Sequence, residues 1–239
     1  MILLLILLII IICISLLYTL KKNEGEPYTC GVDNEPEYRA VGVLKTAGFQ
    51  PGQTVNLAFE GDVSKASQVL TILKKYAFPY INLRFQIGRT GDSVVTIKVN
   101  PAQGPTANIS GNTTGIGTKN PVVSIYTLKQ GTILHEFGHA MGMFHEHQNP
   151  SPNNPIQWDK AAVYAFYVDK QHWKKDSVDS QILNRRNKAK SLYTAWDTKS
   201  IMNYNIKMGL TSAPVKVFVG GEYSDGDKSW FKLKYGVKK

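Results

Sequence analysis

Five histidines occur in this chain of 239 residues, and four of them fall between positions 135 and 147. The segment reads His135-Glu136-Phe137-Gly138-His139-Ala140-Met141-Gly142-Met143-Phe144-His145. On an α-helix, residues four apart share a face, so the imidazoles of His135 and His139 can grip one ion. Glu136 sits beside them, close enough to act on a water at that ion without being a ligand. Gly142 has a separate task, because glycine reaches positive φ freely and can end a helix abruptly, swinging the chain back. That turn brings in His145 as a third nitrogen. Three neutral imidazoles with one open vertex form the ligand set of a catalytic zinc site.

The elements that must carry this cluster follow from the hydrophobic pattern. Residues 54–60 alternate as a strand that stops at Gly61. Asp62 or Ser64 caps a helix reaching about Ala77, with Ala66, Val69, Leu70, Leu73 and Ala77 on one stripe and Pro79 ending it. Strands over 81–87 and 94–99 follow, then a loop rich in Gly, Asn and Thr over 101–120. A short strand over 122–126 leads into the histidine helix, which opens near 130–132. Further helices are expected near 159–170 and 227–235. One strand, a helix, three strands and a second helix indicate an α+β or α/β domain around a single sheet.

Composition limits the alternatives. The length suits one domain of about 150–200 residues plus an appendage. With only Cys13 and Cys30, a disulfide scaffold is excluded. Residues 1–20 carry no charge, and as a helix they would reach about 28 Å, close to the hydrocarbon thickness of a bilayer. No basic residue precedes this run, and Tyr18-Thr19-Leu20 is a poor cleavage site. The expected organisation is an N-terminal membrane anchor over 1–22, contacting the membrane through residues 2–20, a linker over 23–50 and one domain over 51–239. Lys21 and Lys22 favour a cytosolic domain, whereas the sequons Asn108-Ile109-Ser110 and Asn112-Thr113-Thr114 favour the opposite side. The net charge is +10. Its densest run, with Lys174, Lys175, Arg185 and Arg186, is interrupted by Asp176 and Asp179. It reads as a solvated basic face and not as a specific nucleic-acid site.

The pattern HExxHxxGxxH is the metzincin zinc motif, and Ser200-Ile201-Met202-Asn203-Tyr204 looks like the Met-turn of that clan. Glu146 directly after the third histidine, and Tyr204 two residues past the methionine, are similar to astacin-type peptidases. The runs Glu146-His147-Gln148-Asn149-Pro150 and Ser224-Asp225-Gly226-Asp227-Lys228 resemble the same family, and the likeness extends over roughly residues 54–235. It implies a zincin/metzincin fold with a twisted, mostly parallel sheet, two long helices, a zinc cleft and a smaller, irregular C-terminal subdomain that includes the helices near 159–170 and 227–235. It further implies one zinc ion per chain on His135, His139 and His145, with Glu136 as general base. Tyr204 becomes a fifth ligand or transition-state donor, and Met202 packs beneath the metal. The implied activity is zinc-dependent endopeptidase, with a polypeptide substrate added as a strand along 122–126. In the family the counterpart of Glu146 bridges a processed N-terminus. Asn203 stands where astacins usually have histidine, and neither their disulfides nor a recognisable propeptide is present.

Weaker signals have plainer readings beside them. The segment from Pro27 to Asp33 partly resembles the cysteine switch of matrix metalloproteases, with the Cys30 thiolate closing the zinc site; the plainer reading is an incidental linker cysteine. Phe59-Glu60-Gly61-Asp62 is similar to an astacin inhibitory tetrapeptide, but a strand-to-helix turn capped by Asp62 accounts for it. Asp225 and Asp227 read as helix caps, not calcium ligands. His147 and His172 read as surface or hydrogen-bonded residues. The competing function is a catalytically silent zinc-fold membrane protein with a binding or adhesion role. Glu136 counts against it, since a purely structural metal has no use for that carboxylate.

Overall fold

The computed structural model describes residues 29–30, 46–100, 109–203, 206–218 and 220–238. Its strands are β1 (Thr29–Cys30), β2 (Thr54–Gly61), β3 (Arg84–Ile87), β4 (Val94–Val99), β5 (Ile109–Thr114) and β6 (Val122–Ile125). They form one sheet in the order β1-β5-β6-β4-β2-β3. Every neighbouring pair is parallel except β5 with β6. The helices are α1 (Val63–Tyr76), α2 (Gln130–Ala140), α3 (Lys160–Tyr164), α4 (Lys175–Val178) and α5 (Asp225–Tyr235).

Alternation fixes the inner face of the sheet. Val95, Ile97 and Val99 of β4 and Val123 and Ile125 of β6 are buried in one core with Val69 and Leu73 of α1 and Leu134 and Phe137 of α2. Asp62 caps α1 through the Ser64 backbone N–H at 3.1 Å, as the sequence predicts. Ser224 and Asp227 close a capping box on α5, which agrees with reading Asp227 as a cap.

Four expectations need correction. The segment read as a loop over 101–120 contains β5, in which Gly111 and Asn112 interrupt the strand preference of Ile109, Thr113 and Thr114. Antiparallel pairing with β6 carries the strand through those two positions. Consequently β6 lies between β4 and β5 and has no edge to offer a substrate along 122–126. Asn112 is paired with Ser124 within the sheet, and its Oδ1 is buried, so that sequon is not on a loop. Lastly, α5 is no part of a separate subdomain: Trp230, Phe231 and Tyr235 enter the main core. A second, smaller cluster of Val163, Tyr167, Val178, Ile182 and Leu210 gathers α3 and α4.

The expected anchor over 1–22, Asn108 and Tyr204 lie outside the described residues. Among the described residues, no helix is long and apolar enough to cross a membrane. The basic run is less solvated than expected. Arg186 stacks over Phe144 and donates to Gln148 Oε1 at 2.9 Å, while Arg185 donates to the carbonyls of Asn154 and Ile156.

Candidate metal centre

Helix α2 carries His135 and His139 one turn apart and ends where the sequence predicts. Gly142 has φ 96°, and Met143 N–H donates back to the Gly138 carbonyl at 2.9 Å. The reversal brings His145 against the helix, with ring centroids 4.6 Å from His139 and 5.3 Å from His135. One ligand atom from each of the three histidines lies within 4.8 Å of the others.

Hydrogen bonds orient two of these rings. His135 Nδ1 lies 2.8 Å from the Ile201 carbonyl oxygen, and His139 Nδ1 lies 2.7 Å from that of Met143. A carbonyl only accepts, so each Nδ1 carries the proton and each Nε2 keeps a lone pair. Burial lowers the pKa of His135 to about 4 and holds His139 and His145 well below the ordinary imidazole value. All three are therefore neutral near pH 7. His139 Nε2 and His145 Nε2 stand 3.1 Å apart. Two nitrogens on tetrahedral zinc at 2.0–2.1 Å would be separated by about 3.3 Å. By donor type, tautomer and spacing, the residues present fit a zinc ion.

Beneath the cluster, Met202 is fully buried against Gly138, where a Cβ would come within 2.8 Å of its sulfur. The Met-turn is held from α5: Asp227 accepts from Ser200 Oγ at 2.6 Å and from Ile201 N–H at 2.9 Å. Ile201 in turn offers its carbonyl to His135. Asn203, the departure from the astacin pattern, donates to the Asp197 carbonyl at 2.9 Å.

Glu136 is 2% exposed. Its Oε2 accepts from Thr113 Oγ1 at 2.7 Å. Glu146 accepts from Asn149 Nδ2 and Asp197 N–H beside a small cavity that Asp227 and Trp230 also line; burial pushes its pKa up to about 8. His147 is buried and donates from Nε2 to the Gln181 carbonyl at 2.8 Å, a structural partner and not a fourth ligand. Exposed His172 holds a positive φ of 58°.

Sequence reasoning missed Thr113, Gly111 and the two carbonyls that set the histidine tautomers. Thr113, Gly111 and the Ile201 carbonyl meet their partners through the sheet or the Met-turn, so no local signal marks them; the Met143 carbonyl lies only four residues past His139, in the turn that Gly142 makes.

Neutral nitrogens at zinc spacing, with a buried carboxylate alongside, are the working parts of a zinc metallopeptidase, and that is the class this fold and cluster define. The family model for the Astacin peptidases matches residues 82–217. Among solved structures, that of myroilysin has a TM-score of 0.65 at 26% identity, covering 82% of this chain and 99% of that one. High choriolytic enzyme 1, a hatching enzyme zinc-protease from Oryzias latipes (medaka fish), shares the fold. Its TM-score is 0.56 at 14% identity, over 77% of this chain and 90% of that one. No curated protein matches. The chain belongs to the astacin family of zinc metalloendopeptidases.

Proposed function

We propose that this chain cleaves internal peptide bonds, with His135, His139 and His145 holding zinc and Glu136 acting as general base. The observation that carries the reading is the pair of Nδ1–H donors spent on the Ile201 and Met143 carbonyls, which leaves both Nε2 lone pairs for the ion. Zinc, when bound there, supplies a Lewis acid that lowers the pKa of water to about 7 and polarises a carbonyl. Ionised Glu136 takes a proton from the attacking water and returns it to the leaving amine. Tyr204 is assigned as a transition-state donor on family resemblance. The substrate is a polypeptide that pairs as a strand along the side of β5 opposite β6, where backbone hydrogen bonds give affinity without choosing a sequence.

Purified full-length chain should contain one zinc and cleave unfolded casein, with cleavage lost on chelation. Glu136→Gln should keep the zinc and lose cleavage by about 100-fold or more; undiminished turnover in that variant would overturn the assignment.

One observation favours a latent form. β1 occupies the side of β5 proposed for substrate, with Cys30 in register with Gly111. Residues 29–30 and a substrate strand would then compete for the same backbone groups.

A further inference from the structure

We infer that Thr113 and Gly111 are positioning residues that seat the Glu136 carboxylate in its working rotamer; this rests on the reading of Glu136 as general base. The two residues alternate along β5, so they face the same side of the sheet. Both meet one side chain. At Gly111 a Cβ would stand 2.6 Å from Glu136 Cγ and 2.9 Å from its Cδ and Oε1, closer than real Cβ contacts come. The glutamate stem therefore lies directly on bare backbone. Two residues on, the Thr113 hydroxyl reaches Glu136 Oε2 at 2.7 Å and the Glu136 backbone oxygen at 3.1 Å. One strand thus removes the obstacle under the stem and supplies a donor at the head.

Packing alone does not account for this threonine. Thr113 is 0% exposed and pairs across the sheet with Val123. A valine has the same shape and would bury no hydroxyl, which costs free energy unless it is hydrogen-bonded. The hydroxyl also suits both halves of the proton cycle. With Glu136 ionised, Oγ1–H points to Oε2. Once Oε2 carries the abstracted proton, it can donate to Oγ1 while the threonine proton turns to the Glu136 backbone oxygen. Only hydrogens move. Holding a carboxylate with several rotatable bonds in one place matters, because a misplacement of about 1 Å costs on the order of 100-fold in rate.

The test uses the zinc-loaded full chain, a quenched fluorogenic peptide and metal analysis. Thr113→Val should retain zinc and keep KM within about twofold while kcat falls about 10- to 100-fold. Thr113→Ser should restore most of the loss, and Gly111→Ala should lower kcat like the valine variant. A second readout needs neither metal nor activity. In chelator, Thr113→Val should lower the urea midpoint more in the wild-type background than in Glu136→Ala, because the hydroxyl–carboxylate contact exists only in the former while the contact to the backbone oxygen of residue 136 is common to both. Unchanged kcat in Thr113→Val, no rescue by serine, or equal midpoint shifts in the two backgrounds would overturn the seat. If Glu136→Gln cleaves normally, the general-base reading fails instead; a dead Glu136→Gln beside a normal Thr113→Val sinks the seat alone.

Discussion

Gly138 lies in the middle of the ligand-bearing helix, where glycine is less favourable than alanine by about 1 kcal/mol. Replacing it with alanine should therefore stabilise an exposed helix. Here the new Cβ would stand 2.8 Å from Met202 Sδ and 3.5 Å from Met143 Sδ, when ordinary contact begins at 3.4 Å. Met202 is 0% exposed, so its thioether cannot swing into solvent, although a flexible side chain softens the clash. Overpacking of this kind costs about 1–3 kcal/mol. Set against the helix gain, Gly138→Ala should destabilise by about 0–2 kcal/mol. The sign should reverse once the sulfur is removed: in a Met202→Ala background the same substitution should stabilise by about 0.5–1 kcal/mol. Urea unfolding in chelator, followed by fluorescence of the four tryptophans, measures all corners of the cycle without zinc linkage. Equal stabilisation by alanine in both backgrounds would refute the steric argument and, with it, the idea that glycine is needed for Met202 to approach the zinc helix.

Two further expectations concern stability and latency. Lys234 is 2% exposed, its Nζ donates to the Ala47 carbonyl at 2.6 Å, and burial lowers its pKa to about 8. Between pH 8 and the ordinary lysine value near 10.4, the unfolded chain binds more protons than the folded one, so stability rises with pH in that window. Lys234→Met cannot titrate and should fall behind the wild type as pH goes from 8 to 10; parallel urea midpoints would contradict this. If β1 holds the enzyme latent through the Cys30 thiolate, Cys30→Ser should raise the basal cleavage of purified full-length chain, and unchanged basal activity would remove Cys30 from the account.

The two kinds of surface chemistry in this chain separate on folding. Lys174, Lys175, Arg185 and Arg186 look equivalent as a basic run. In the fold the two arginines are tied to carbonyls and to Gln148, because a planar guanidinium can satisfy several acceptors while stacking on Phe144. A charge count could not distinguish these tasks, since it contains no partners.

Sequence alone determined the ligand spacing, the end of the helix that carries it and the cap of the first helix. His135, Glu136 and His139 share a helical turn, Gly142 ends that helix, and Asp62 caps the helix that follows it. These features follow from helix periodicity and from which residues tolerate positive φ or cap an N-terminus. Tertiary structure decided whatever depends on pairing across long separations. Ile109–Thr114 is continuous as a strand because β6 pairs with it through Gly111 and Asn112, two residues that locally favour a turn. That pairing buried β6, moved the outer side of the sheet to β5, where among the described residues only the two of β1 pair, and placed Gly111 and Thr113 under Glu136. The Ile201 carbonyl reached His135 from 66 positions away. Side-chain period records which face of a strand is apolar, but not which strand will lie beside it, and the zinc site's finer geometry is built from those neighbours.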